Sequence, residues 1–76
     1  MIREHDLVVL THDLVAQDLR QGDIGVVVHC YGDGLAYEVE FTSAEGKTIA
    51  VLTLEHHEVR AMGSGEILHV RELSAT

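Results

Sequence analysis

The sequence contains no proline, no tryptophan and a single cysteine, Cys30. The cysteine count excludes two ways of stabilising a small domain. One cysteine cannot form an internal disulfide, and it cannot supply the several thiolates that structural zinc sites use. We therefore expect a reducing, cytoplasmic setting. Aromatic residues are also few, so a core must be built mainly from valine, leucine and isoleucine, which favour strands.

Basic residues are scarce as well, with 5 Lys and Arg against 13 Asp and Glu and a formal net charge of −8. Such a charge repels nucleic-acid phosphates and anionic lipid surfaces, so we expect neither as a partner. No apolar run approaches the roughly 18–20 residues that a membrane-spanning helix needs. The 76 residues leave room for one small domain.

Short β-branched segments separated by turn residues predict an all-β domain. The clearest period-2 signal places Tyr37, Val39 and Phe41 in the core and exposes Glu38 and Glu40. Glu55-His56-His57-Glu58 is too short and polar for a strand and predicts a single 3₁₀ turn. The predicted strands are 7–10, 24–31, 36–41, 48–54 and 59–62.

The strand over 24–31 is apolar on both faces, and strict alternation puts Ile24, Val26, Val28 and Cys30 on one of them. This placement predicts that Cys30 is a buried, inert thiol. Its neighbour His29 cannot activate it, because adjacent residues of a strand point to opposite sides. No other pattern indicates a nucleophile or an acid–base pair, so we expect a non-enzymatic protein without a cofactor.

Two blocks carry a family resemblance: Gly22-Asp23-x-Gly25-x-Val27-Val28 and the run 36–41, Ala-Tyr-Glu-Val-Glu-Phe. On these blocks, residues 1–62 resemble the small bacterial family catalogued as domain of unknown function 4926. The resemblance implies a small SH3-like barrel of about five strands, similar to the KOW-type and nitrile hydratase β-subunit barrels. It implies no agreed activity and no catalytic residues.

Residues 63–76 lie outside the resemblance and form a C-terminal extension. Gly63-Ser64-Gly65 predicts a hairpin loop that would lead into a sixth strand at 67–70. As an edge strand it would expose Ile67, Leu68 and Val70, which are our candidate partner-binding residues. The alternatives are a segment that folds back on its own barrel and a short helix.

The densest group of metal-binding side chains is His56 and His57 between two glutamates. Imidazole and carboxylate suit zinc, but the pair lacks the spacing of known ligand motifs, so it is a weak candidate.

We expect a non-catalytic protein-interaction module that docks on a larger partner or on itself as a homodimer, for instance as the antitoxin or immunity half of a pair. The alternatives are a KOW-like nucleic-acid-binding barrel, against which the charge argues, and a histidine-based metal-binding protein.

Overall fold

A computed structural model describes residues 1–73, which form five strands and three short 3₁₀ turns. Each predicted strand is present within one residue of its expected ends. The strands are β1 (Leu7–Leu10), β2 (Ile24–Tyr31), β3 (Ala36–Thr42), β4 (Thr48–Glu55) and β5 (Val59–Ala61), and the 3₁₀ turns are Val15–Gln17, Gly32–Gly34 and His56–Glu58. Within the described range no helix has the length and apolar character needed to cross a membrane.

The strands form one antiparallel sheet in the order β4-β3-β2-β1-β5. The predicted all-β fold is therefore confirmed, with the long loop before β2 and the turn before β5 where the sequence places them. No hydrogen-bonded ladder joins β4 to β5 in the described residues, so the sheet is not closed into a barrel. Each of these two strands has one edge without a strand partner.

The core lies on one face of the sheet and follows the alternation of β3. Tyr37, Val39 and Phe41 are all buried, which confirms the predicted register. Glu38 and Glu40 lie on the opposite face but are half-buried rather than exposed. Each accepts a hydrogen bond across the sheet, from the Tyr31 hydroxyl at 2.5 Å and the Thr48 hydroxyl at 2.6 Å respectively. The rest of the core cluster is Val8, Leu10, Leu19, Val27, Leu54 and Val59.

The predicted faces of β2 are wrong beyond its middle because the strand contains a bulge. Gly25 and Val27 are the buried residues of its first half, opposite Val8 and Val39. The pairing with β3 then shifts between Val27 and His29, which inserts one extra residue and reverses the alternation. Cys30 consequently pairs with Tyr37 and packs on the core side, half-buried, and does not share a face with Val26.

The predicted 3₁₀ turn after β4 is present, and reciprocal capping fixes it. The Glu58 carboxylate accepts a hydrogen bond from the Glu55 backbone N–H at 2.8 Å, and the Glu55 side chain caps the turn in return. Thr11 donates its hydroxyl proton to the His57 carbonyl at 2.9 Å. These bonds hold the turn against the loop that follows β1.

The sixth strand predicted at 67–70 is not formed, because no strand follows Ala61 in the described chain. The segment 62–73, called here the tail segment, instead folds back on the sheet. Of the two alternatives to a sixth strand, the structure shows the fold-back and not the short helix. The last three residues of the predicted extension, 74–76, lie outside the described residues.

Candidate functional site

The outer edge of β4, called here the β4 edge, is a row of backbone groups without a strand partner. β4 is an end strand of the sheet and pairs only with β3. No turn or loop of the described chain forms a backbone hydrogen bond to residues 48–55. The Glu55 N–H is used by the Glu58 carboxylate, so the open part of the edge ends at Leu54.

The side chains of β4 do little to protect this edge. Residues 48–54 carry no charge, and charged residues stand only at the two ends, Lys47 and Glu55. A bulge lies near the first end, where Phe41 pairs with Ala50 but Thr42 pairs with Thr48, leaving Ile49 as the extra residue. From Ala50 onward the strand is regular.

The two faces of β4 differ in what they cover. Leu54 is buried, and Ala50 and Leu52 pack against the core cluster. Val51 points to the outer face and is 47% exposed, opposite Glu40 of β3. The β4 edge therefore presents backbone donors and acceptors flanked by apolar side chains.

Two ion pairs anchor the tail segment. The Arg60 guanidinium donates two hydrogen bonds to the Glu66 carboxylate, at 2.8 and 2.7 Å. These bonds, with that of the Gly63 N–H, lower the pKa of Glu66 to about 2. Arg71 donates two hydrogen bonds to the Asp23 carboxylate, at 2.8 and 2.6 Å, and one to the Asp18 carbonyl at 2.8 Å.

The Arg71 contact is the more sheltered of the two, since both side chains are less than one third exposed. Burial alone would raise the pKa of Asp23, but hydrogen bonds from Arg71 and from the Arg20 N–H, with the charges of both arginines, lower it. The carboxylate therefore stays ionised to a lower pH than an ordinary aspartate.

The tail segment is anchored at two points that flank Val9 of β1. Val9 is 7% exposed, yet it does not belong to the core cluster. Its cross-strand neighbours are Ile24 and Arg60, and the tail is anchored beside both, at Asp23 and at Arg60 itself.

The three predicted partner-binding residues lie between these anchors and point largely into solvent. Ile67 is 83% exposed, Leu68 59% and Val70 93%. An open groove of about 390 Å³ is lined by Val70 of the tail segment and by Ile24 and Ile49 of the sheet. The groove thus connects the tail segment with the first end of β4.

The histidines are dispersed rather than gathered into a ligand set. The rings of His56 and His57 meet edge to face with centroids 5.7 Å apart, and His57 lies 3.6 Å from the Glu55 carboxylate. His12 instead contacts Glu58, at 3.1 Å. Within residues 1–73 no three His, Cys, Asp or Glu side chains are placed to hold a metal ion together.

The Cys30 thiol points to a backbone carbonyl rather than to a basic side chain. Its Sγ lies 3.9 Å from the Ile2 carbonyl, at the limit of a weak hydrogen bond. The neighbouring His29 faces away from the thiol, and its Nδ1 lies 3.6 Å from the Glu4 carboxylate. The arrangement expected of an activated thiol, with base and sulfur in hydrogen-bond contact, is not present between these two residues.

Residues 4–61 match the family described as Domain of unknown function (DUF4926), which is more than half of the chain. The chain belongs to this family. The matched DUF4926 region runs from just before β1 to the last residue of β5 and so contains the whole sheet and the β4 edge. The tail segment lies outside it. No curated protein and no solved structure matches the chain.

Two features of this surface were missed at the sequence level. The sequence indicates that β4 is a strand but not that it is an end strand, which depends on the order of the sheet. The contact between Arg71 and Asp23 joins residues 48 positions apart. Its only local signal is that Arg71 is the sole basic residue after Arg60.

Proposed function

We propose that this DUF4926 protein is a non-catalytic protein-interaction module that docks on a protein through the β4 edge and the tail segment. The observation that carries the proposal is the eight-residue β4 at the end of the sheet, uncharged from Thr48 to Leu54 and without a backbone partner on its outer side among residues 1–73. Extended segments of other chains add to such edges through backbone hydrogen bonds.

An open edge is informative because proteins usually protect their outer strands with charges, prolines, bulges or short length. This chain has no proline, and the bulge at Ile49 protects only the first end of β4. β5, the other outer strand, has only three residues and is followed at once by the tail. The contrast between the two edges supports β4 as the binding edge.

The exposed apolar side chains Ile67, Leu68 and Val70 supply a second contact surface, joined to β4 by the groove. Their exposure would suit partner contacts better than a role in stability, since they lie outside the core cluster. The net charge of −8 favours a partner with a basic surface. An antitoxin or immunity role would fit this description, and the lone free thiol suits a reducing cytoplasm.

The alternatives receive less support. Two of the five basic residues, Arg60 and Arg71, are engaged in ion pairs, which leaves little positive surface for a KOW-like nucleic-acid interface. A metal-binding role would need ligands beyond His56 and His57, and within the described residues no three His, Cys, Asp or Glu side chains are placed to hold an ion together.

The proposal is tested by capturing proteins from a lysate of the source cells with matched tagged variants. Val51→Lys adds a charge to the outer face of β4, whereas Leu7→Lys makes the same change on an internal strand at similar exposure, 47% against 41%. We expect Val51→Lys, but not Leu7→Lys, to lose the captured protein. Capture that survives Val51→Lys and also survives changing Ile67, Leu68 and Val70 to serine would refute the proposal.

A further inference from the structure

We propose that the β4 edge pairs antiparallel with the β4 edge of a second copy of this chain, which joins the two sheets into one. The inference rests on the proposed function, because it names the chain itself as a protein that the β4 edge binds. A twofold axis then runs through the middle of the strand pair, as in other self-complementary dimers.

The faces of β4 restrict how two copies can align. Residues directly opposite each other in an antiparallel pair lie on the same face of the sheet. Leu52 and Leu54 face the core side, whereas Val51 and Thr53 face the outer side. The axis must therefore pass through a residue, and the regular part of the strand allows Val51, Leu52 or Thr53. Each choice places Val51 next to an outer-face residue of the other copy's β4.

The charges at the ends of β4 select the antiparallel orientation. Lys47 precedes the strand and Glu55 ends it, with no charge between them. Antiparallel pairing about Val51 sets Lys47 of each copy opposite Glu55 of the other, giving two opposite-charge contacts, so the charges favour the Val51 axis among the three. Parallel pairing would instead oppose lysine to lysine and glutamate to glutamate, which destabilises a strand pair.

The net charge of −8 on each copy opposes association, but its effect at the contact is limited. Exposed charges further apart than about 8 Å are largely screened at physiological salt. A single strand pair also buries less than the roughly 1,600 Å² of a standard stable interface. We therefore expect a weak dimer that forms at high micromolar to millimolar concentration.

The first experiment measures the oligomeric state of the full chain by sedimentation velocity from micromolar to millimolar concentration. We expect a concentration-dependent dimer for the wild type and for Leu7→Lys, and a monomer at every concentration for Val51→Lys. A wild type that stays monomeric throughout overturns the proposal, as does a dimer that Val51→Lys leaves intact.

The second experiment tests the charge pairing with Lys47→Glu and Glu55→Lys, alone and mixed. Each single variant opposes like charges in its own homodimer, whereas the mixture forms a heterodimer in which both contacts are opposite. From the usual strength of cross-strand charge pairs, we expect a roughly 2- to 30-fold weaker homodimer for each variant and recovery in the mixture. Equal association of the single variants and the mixture would contradict the orientation.

The third experiment does not depend on Glu55, whose side chain also caps the following turn. In a Cys30→Ala background, Val51→Cys and Thr53→Cys are oxidised alone and mixed, and Leu7→Cys serves as the control of similar exposure. We expect rapid disulfide dimers for one combination of the β4 cysteines and none for Leu7→Cys. Equal cross-linking at all positions would reflect random encounter and would overturn the proposal.

The lysate capture and these experiments separate the two levels of inference. If the wild type is monomeric at all concentrations but Val51→Lys still abolishes capture of another protein, the self-pairing is wrong and the interaction module stands. If Val51→Lys changes neither dimerisation nor capture, the β4 edge is not a binding surface and the self-pairing is wrong. The interaction module fails as well if capture also survives changing Ile67, Leu68 and Val70 to serine.

Discussion

Gly25 in β2 is the position at which we expect the smallest chemical change to have the largest effect. It is buried opposite Val8, and it does not need a left-handed backbone conformation, so its role is steric. A β-carbon built there would lie 2.5 Å from Val39 Cγ1, 2.9 Å from Phe41 Cε1 and 3.0 Å from the Glu40 carbonyl oxygen.

The cost of Gly25→Ala follows from these distances. Carbon atoms prefer separations of about 3.5–4.0 Å, so the two side chains must retreat by roughly an ångström. The Glu40 carbonyl cannot rotate away, because it belongs to β3, an internal strand paired on both sides. Overpacking of this kind costs about 1–3 kcal/mol, and a loss of about 2 kcal/mol lowers the melting temperature of so small a domain by roughly 8–16 °C.

The assay is thermal and urea unfolding followed by circular dichroism, with Gly65→Ala as the matched control. Gly65 has no atom within 4 Å of an added β-carbon and no positive φ, so the same substitution should leave stability unchanged or raise it by about 0.4–1 kcal/mol. In a Val39→Ala background the cost of Gly25→Ala should shrink, since the closest contact is gone. The reasoning would be refuted by a Gly25→Ala protein that melts like the wild type. It would also be refuted if the destabilisation of the double variant equalled the sum of those of Gly25→Ala and Val39→Ala.

Four further predictions use the same unfolding measurements. Phe41→Ala should cost roughly 3–5 kcal/mol, a large part of the total stability of a domain of this size, and a variant that melts like the wild type would contradict the core assignment. Arg71→Ala should cost about 1–3 kcal/mol near neutral pH. Because the folded pKa of Asp23 is lowered, the part of that cost due to the ion pair should be lost as the pH falls below about 4, through the folded pKa, which leaves the part due to the bond to the Asp18 carbonyl. A pH-independent cost would count against the pair. Deletion of residues 63–76 should lower the melting temperature but leave a folded domain, since the core cluster ends at Val59. EDTA should not change the melting temperature, and a fall of several degrees would favour a metal site at the paired histidines.

The parts of the fold that could be predicted from the sequence are those set by local pattern. β3 alternates between Tyr37, Val39 and Phe41 on one side and glutamates on the other. Only one orientation of the strand places all three apolar side chains in the core. The 3₁₀ turn after β4 is likewise local, because Glu55 and Glu58 cap each other. In both cases the deciding interactions join residues close in the chain.

The parts that could not be predicted depend on contacts between distant residues. β2 is apolar on both faces, so its sequence does not show where the bulge reverses the alternation, and Cys30 was assigned to the wrong face. The tail segment has the apolar residues of a strand. Its path is fixed instead by the ion pairs of Arg71 with Asp23 and of Arg60 with Glu66, and nothing in the local sequence names Asp23 as the partner of Arg71.

The two proposed contact surfaces differ in their relation to the family. The β4 edge lies inside the DUF4926 match, whereas Ile67, Leu68 and Val70 lie beyond its last residue. An interaction that depends on Val51 is therefore a property of the matched domain and its sheet order, while one that depends on Leu68 or Val70 belongs to the extension of this chain. Because the groove connects Val70 with Ile49, a partner that fills the groove would contact both surfaces at once. Its affinity would then fall when either surface is changed.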